Sequence, residues 1–310
     1  MPAMVAALLL TLAVIVSFMY INETKVDADD FSFSSKKVIS SGVPNSVVFD
    51  YDASNAGEDS VIIQQSWDKK LRAKVSKQKH QHTSIYYFPD FFRAKLIVNG
   101  QVVKEHDLFI TSNGWLPIVV HKPVPVYFKK EEAIREGKIG LSSEQLQSRN
   151  IEMQPDVPIV VYSNVRDFGE IYTDDFVFET VLKNNYREGS SACQKTNIYL
   201  LCECDGTAVG IPLSAKGCIS DIELLLPGFY FSGKQHDLSA FGVSFDDPVK
   251  VRIESQNGQT KVFVNDSLSY HLKDPVLKAK IIGIDFVFEG TGSVDYVKLS
   301  SKKAAYEDSF

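Results

Sequence analysis

FVFETVLKN (176–184) decides the fold class. Successive side chains of a strand point to opposite faces. Phe176, Phe178, Thr180 and Leu182 therefore share one face, and Val177, Glu179 and Val181 share the other. This is the two-residue period of a half-buried strand, not the period of a helix. Segments of the same kind follow: NIYLLCEC (197–204), GIPLS (210–214), CISDIELLL (218–226), VKVRIES (249–255), KVFVNDSLSYHL (261–272), KIIGIDFVFEG (280–290) and SVDYVKLS (293–300). So long a run of short strands exceeds one small immunoglobulin module and suits a larger jelly roll.

The pattern also extends towards the N-terminus. In SVVFDYDAS (46–54), Val47, Phe49 and Tyr51 share a face. SVIIQQSWD (60–68) and HTSIYYF (82–88) follow, and Pro89-Asp90 ends the latter. FFRAKLIVNG (91–100) sets Phe92, Ala94, Leu96 and Val98 against Arg93 and Lys95, and Asn99-Gly100 marks a hairpin. QVVKEHDLFI (101–110) then returns, so residues 38–110 read as an antiparallel sandwich. Pro117, Pro123 and Pro125 make the next stretch an extended edge or linker. Short helices are expected in 129–137 and 142–150, the second with Ser142 and Gln145 as a capping box. Residues 111–157 are therefore expected to connect two domains, the second spanning 158–301 and followed by a tail, 302–310.

The chain has 310 residues and a net charge of -6, with 20 Phe and 13 Tyr against 4 Met. The length suits two domains, the aromatic bias suits strands, and the charge offers no basic footprint for nucleic acid. Pro2 to Ile21 contains no charged residue. Twenty apolar residues span the hydrocarbon core of a bilayer, so residues 1–21 are expected to be an uncleaved transmembrane anchor, with a cleaved signal peptide as the alternative. Residues 22–37 read as a polar juxtamembrane linker, and the bulk of the chain is expected outside the cytoplasm, in a periplasm or at a cell surface. Cys193, Cys202, Cys204 and Cys218 allow a disulfide whose pairing stays open. Cys202 and Cys204, two apart on an expected strand, should share a face.

Two resemblances rest on particular residues. Ser66-Trp67-Asp68, His82-Thr83-Ser84-Ile85-Tyr86-Tyr87, Pro89-Asp90-Phe91-Phe92 and Leu96-Ile97-Val98-Asn99-Gly100 resemble a PKD domain, an immunoglobulin-like sandwich of surface proteins. The family's Gly-Asp-Gly is replaced by Lys69-Lys70-Leu71, and Asp90 stands where Gly is usual. Asp175 to Thr180, Val249 to Glu254, Lys261 to Asp266 and Ser293 to Leu299 resemble the concanavalin A-like and laminin G-like group. Together, residues 38–301 are similar to a PKD-plus-sandwich arrangement of membrane proteins of the Bacteroidota type. The resemblance implies a mainly β protein with two sandwiches behind an anchor.

No catalytic constellation is legible. A glycosidase needs two carboxylates on one face. The nearest candidates are Glu203 with Asp205, Asp221 with Glu223, and Asp285 with Glu289; Asp221 and Glu223 stand two apart and would share a face. A Gly-x-Ser-x-Gly elbow is absent. His80 and His82 alternate on a strand and read as a solvent residue and a framework residue. Asp174-Asp175 and Asp246-Asp247 are acidic pairs without the ladder of a calcium loop, so they read as turn residues, with calcium as the alternative, and no cofactor is expected. Aromatic side chains beside polar groups are the remaining candidates: Phe229, Tyr230 and Phe231 within PGFYFSGKQHD, and Trp115. The expected function is non-catalytic binding of a glycan or a protein. The alternatives are the extracytoplasmic sensor portion of a signalling assembly, and a carbohydrate-active enzyme with an atypical site.

Overall fold

A computed structural model describes residues 27–57, 60–187, 193–204 and 206–310. The expected anchor, residues 1–21, lies outside them, as does Asp205. Among the described residues no helix is long and apolar enough to cross a membrane. The protein is mainly a β sandwich. Of the described residues, 27–35, 49–82 and 94–106 form one compact unit, and 36–48, 83–93 and 107–310 form another.

The first strands are β1 (Ser32–Lys37), β2 (Asn45–Asp52), β3 (Val61–Gln64), β4 (Arg72–Val75), β5 (Gln81–Tyr86), β6 (Asp90–Val98) and β7 (Gln101–Ile110). They form two sheets, ordered β1-β2-β5 and β4-β3-β6-β7. Alternation is the cause: Phe49 and Tyr51, Val61 and Ile63, and Ala94, Leu96 and Val98 are buried at two-residue spacing. Asn99 and Gly100 both take positive φ, 50° and 77°, as a two-residue hairpin turn of the primed type requires.

The second unit adds β8 (Leu116–Val120), β9 (Val126–Tyr127), α1 (Lys130–Ala133), β10 (Ile134–Arg135), β11 (Lys138–Gly140), α2 (Ser143–Gln147), β12 (Ile159–Val165), β13 (Phe176–Asn184), β14 (Lys195–Cys202) and β15 (Ala208–Ala215). Then come β16 (Glu223–Leu226), β17 (Phe229–Ser232), β18 (Gly242–Val243), β19 (Val249–Gln256), β20 (Gln259–Val264), β21 (Ser267–Leu272), β22 (Ile281–Glu289), β23 (Gly292–Ser300) and β24 (Ala305–Asp308). A nine-stranded sheet runs β17-β16-β15-β14-β22-β12-β8-β9, with β18 beside β15. An eight-stranded sheet runs β10-β11-β23-β13-β19-β20-β21, with β24 beside β23. Phe176, Phe178 and Leu182 from one sheet and Ile198, Leu200, Phe286 and Phe288 from the other belong to one apolar core.

The stretch 111–157 is not a connector. β8 pairs along β12 from Val120↔Ile159 to Leu116↔Ser163, and β11 pairs with β23 at Ile139↔Val294. Pro117 is accommodated because β9 pairs with β8 only at Ile118 and Val119, so little is asked of the missing N–H. The tail is also part of the sheet: β24 pairs with β23 from Asp308↔Val297 to Ala305↔Ser300. The two helices are shorter than expected. The second keeps its capping box, with Gln145 N donating to Ser142 Oγ at 3.3 Å and Ser142 N to Gln145 Oε1 at 2.9 Å.

Candidate functional site

The nine-stranded sheet turns Ile198, Leu200, Ile211, Leu213, Ile284 and Phe286 into the core. Register fixes what stands on its other face. Tyr230 is opposite Leu225, Leu225 opposite Gly210, Gly210 opposite Tyr199, Tyr199 opposite Asp285, and Asp285 opposite Ser163. Directly opposed residues share a face. These six residues therefore form one row across six strands.

Half of this face is covered and half is open. Phe91 packs with Val165 and Ile282, and Phe109 and Leu201 close on the same cluster. Tyr127 donates its hydroxyl to the Tyr87 carbonyl at 2.8 Å. On β14 to β17, Tyr230 is 55% exposed, Glu223 is exposed, and Asn197, Tyr199 and Leu225 are half-buried. A glycine shapes this open part. A Cβ at Gly210 would stand 2.8 Å from Tyr199 Cε1 and 3.2 Å from Leu225 Cβ, so the Tyr199 ring lies over the Gly210 backbone.

Two carboxyl groups border the tyrosines. Tyr230 donates to Glu223 Oε1 at 2.5 Å, which holds the Tyr230 hydroxyl above its ordinary pKa. Asp285 has its Oδ1 buried with no hydrogen-bond partner among the described residues. Burial pushes its pKa up to about 7; the nearby Ser163 hydroxyl acts in the opposite sense, and the Asp90 carboxylate adds repulsion. The Tyr199 hydroxyl is raised by burial first, then by the negative charges of Glu223 and Asp285. The arrangement offers flat aromatic surface with acceptors beside it, and a carboxyl that changes charge near neutrality. The clefts of about 490 Å³ lie elsewhere, one lined by Arg135, Glu136, Lys138 and Glu144, another by His121, Glu152 and Asp156.

The hairpin that carries Tyr199 and Gly210 is clamped. Cys193 is bonded to Cys218 with a Cα–Cα distance of 5.6 Å, just beyond the paired ends Lys195↔Ser214 of β14 and β15. Cys202 is buried and Cys204 is exposed, both as free thiols. They do not share a strand face, because β14 ends at Cys202. Burial pushes the Cys202 thiol up to about 12, which keeps it protonated.

The sequence-derived candidates separate. Tyr230 is on the open face, while Phe229 and Phe231 pack against the core, as their alternation implies. Trp115 is elsewhere: it is 3% exposed, its Nε1 donates to Tyr306 Oη at 3.2 Å and Asp308 Oδ2 at 3.1 Å, and its ring meets Phe286 and Phe310. It is a core residue. Asp221 and Glu223 are not a strand pair, because Asp221 closes a 3-10 turn (Ile219–Asp221) and only Glu223 opens β16. Asp174 is paired with Lys278 at 3.1 Å and Asp175 with Lys302 at 3.6 Å. Asp246 accepts from the Ser244 hydroxyl at 2.7 Å within its own turn. Tyr199, Asn197 and Gly210 were not singled out by sequence. Alternation in NIYLLC does place Asn197 and Tyr199 on one face, and Asp285 is the one charge inside the apolar run IIGIDFVF.

No family model matches the chain, and no curated protein matches it. Solved structures give partial superpositions. A carbohydrate binding module from Bacillus subtilis superposes with TM-score 0.31 and 12% identity, covering 48% of this chain and 84% of that one. The alginate lyase from Corynebacterium sp. gives 0.35 and 10%, covering 63% and 94%. A structure titled for carbohydrate-binding modules of the β-sandwich superfamily gives 0.23 and 10%, covering 87% and 98%.

Proposed function

We propose that this chain is an extracytoplasmic, non-catalytic carbohydrate-binding protein, built as an immunoglobulin-like sandwich of the PKD kind and a concanavalin A-like jelly roll, and held at a membrane by residues 2–21. The observation that carries the reading is the open row of Tyr199 and Tyr230 with the exposed Glu223 beside Tyr230. Sugar rings present C–H faces that stack on tyrosine and hydroxyl rims that donate to carboxylates. The two tyrosines stand three strand spacings apart, roughly 14 Å. A flat platform of that length suits a stretch of glycan chain better than a single small molecule.

Two further features support it. A disulfide persists in oxidising compartments, and Cys193–Cys218 closes the hairpin under the platform. The carboxylates do not suit hydrolysis. Glycosidase carboxyls stand about 5 to 9.5 Å apart, whereas the strands of Glu223 and Asp285 are separated by β15 and β14.

The test is a glycan array on the full chain and its Tyr199→Ala and Tyr230→Ala variants. Each substitution should weaken binding at least about fivefold, since an aromatic anchor supplies about a kcal/mol or more. Unchanged binding in both variants would remove the platform from the account. Turnover of a bound glycan that disappears in Asp285→Asn and Glu223→Gln would favour the enzyme reading instead.

A further inference from the structure

The chain is acidic overall, yet the segment from Trp67 to Lys79 carries Lys69, Lys70, Arg72, Lys74, Lys77 and Lys79 against a single acid, Asp68. That acid neutralises none of them at its tip: Asp68 Oδ1 accepts from the backbone N of Lys70 at 2.8 Å. Arg72 Nε donates to Gln64 Oε1 at 2.7 Å, and Lys77 Nζ donates to the Gly57 carbonyl. Lys69, Lys70, Lys74 and Lys79 make no ion pair among the described residues. Elsewhere lysines are paired with carboxylates in both units, Lys95 and Lys104 in the first and Lys138, Lys250, Lys278, Lys280, Lys298 and Lys303 among those of the second.

Two apolar side chains stand among these cations. Trp67 is 64% exposed and Leu71 46%. Their exposure is built in, because the turn is closed by Gln65 N donating to Leu71 O at 3.1 Å and Leu71 N to Asp68 O at 3.0 Å. Lysines on an exposed edge strand guard it against pairing with other chains, which accounts for Lys74 on β4, an edge of its sheet. It does not account for an exposed Trp and Leu at the tip.

We propose that the tip formed by Trp67, Lys69, Lys70 and Leu71 docks on the surface of an anionic lipid bilayer. Tryptophan concentrates at the membrane–water interface, and lysines lay their methylenes on an apolar surface while the ammonium stays in water. Each cation near an anionic leaflet adds about fivefold to partition. The uncharged run 2–21 ends six residues before Asp27, the first described residue, and six residues reach at most roughly 20 Å. An exposed Trp and Leu among the lysines favour a bilayer, with its apolar interior, over a soluble polyanion. The docking rests on the span proposed for residues 2–21, and the test separates the two.

Full-length protein is added to vesicles of phosphatidylcholine, with and without phosphatidylglycerol, whose acyl chains carry bromine as a quencher. The chain has 2 Trp. Trp115 is 3% exposed, so quenching reports on Trp67. Emission should be quenched on the anionic vesicles, weakly or not at all on the zwitterionic ones, and less at high salt. Trp67→Phe should abolish the quenching, and Lys69→Glu with Lys70→Glu should cut it several-fold while the protein still sediments with vesicles through its span. Sedimentation without Trp67 quenching would overturn the docking and leave the span standing. Absence of sedimentation would overturn both. A fluorescence change with a soluble acidic polysaccharide, and none with anionic vesicles, would overturn the docking in favour of a polyanion.

Discussion

Asp285 is the residue whose environment contradicts its ordinary chemistry. Its pKa stands near 7 in the fold against 3.8 as a free side chain. The folded state therefore holds a proton that the unfolded state has lost between those values, and stability falls as pH rises through that window. At about 1.4 kcal/mol per pKa unit, Asp285→Asn should raise stability by roughly 2–4 kcal/mol at pH 8. The gain should shrink towards zero as pH approaches 4. Denaturant unfolding of both proteins across this range checks it, and a gain that does not vary with pH would contradict the assignment. Trp115→Ala should act oppositely, costing about 3–5 kcal/mol as a core deletion. It should leave the glycan affinity of the folded fraction unchanged. Gly210→Val tests the platform from below: the new side chain displaces the Tyr199 ring, so binding should fall while β15 remains paired.

Elements show where local pattern is sufficient and where it is not. The alternation of β2, the hairpin at Asn99-Gly100 and the cap at Ser142 were legible because each is decided within a few residues. β8 was not, because three prolines argued for a linker and its partner, β12, lies beyond two short helices. The row from Tyr230 to Ser163 was not legible either. Alternation says which residues of one strand share a face, whereas the row depends on the lateral order of six strands gathered from residues 163 to 285. The cysteine pairing likewise needed the β14–β15 register. That disulfide closes a loop of 25 residues, worth about 3 kcal/mol. Cys193→Ser with Cys218→Ser should lower stability by that order and loosen the hairpin, which hydrogen exchange at Ile198 to Leu201 would register as faster exchange.

At the scale of the whole molecule, the division at 111–157 gives way to a second unit that needs this stretch. β8 and β11 lie inside its sheets, and Trp115, Phe128 and Leu146 lie inside its core. A fragment 158–301 should therefore fail to show a cooperative unfolding transition. A sharp transition from that fragment would restore the connector. The sandwich then has one consequence for function, the open half-face with two tyrosines at roughly 14 Å. The most direct measurement of that claim is the affinity of the full chain for a size series of the best oligosaccharide from the array. The account predicts affinity that climbs with length until the ligand reaches both tyrosines and then levels off. In Tyr230→Ala the climb should stop at a shorter ligand. A dependence on length that is the same in wild type and Tyr230→Ala would contradict it.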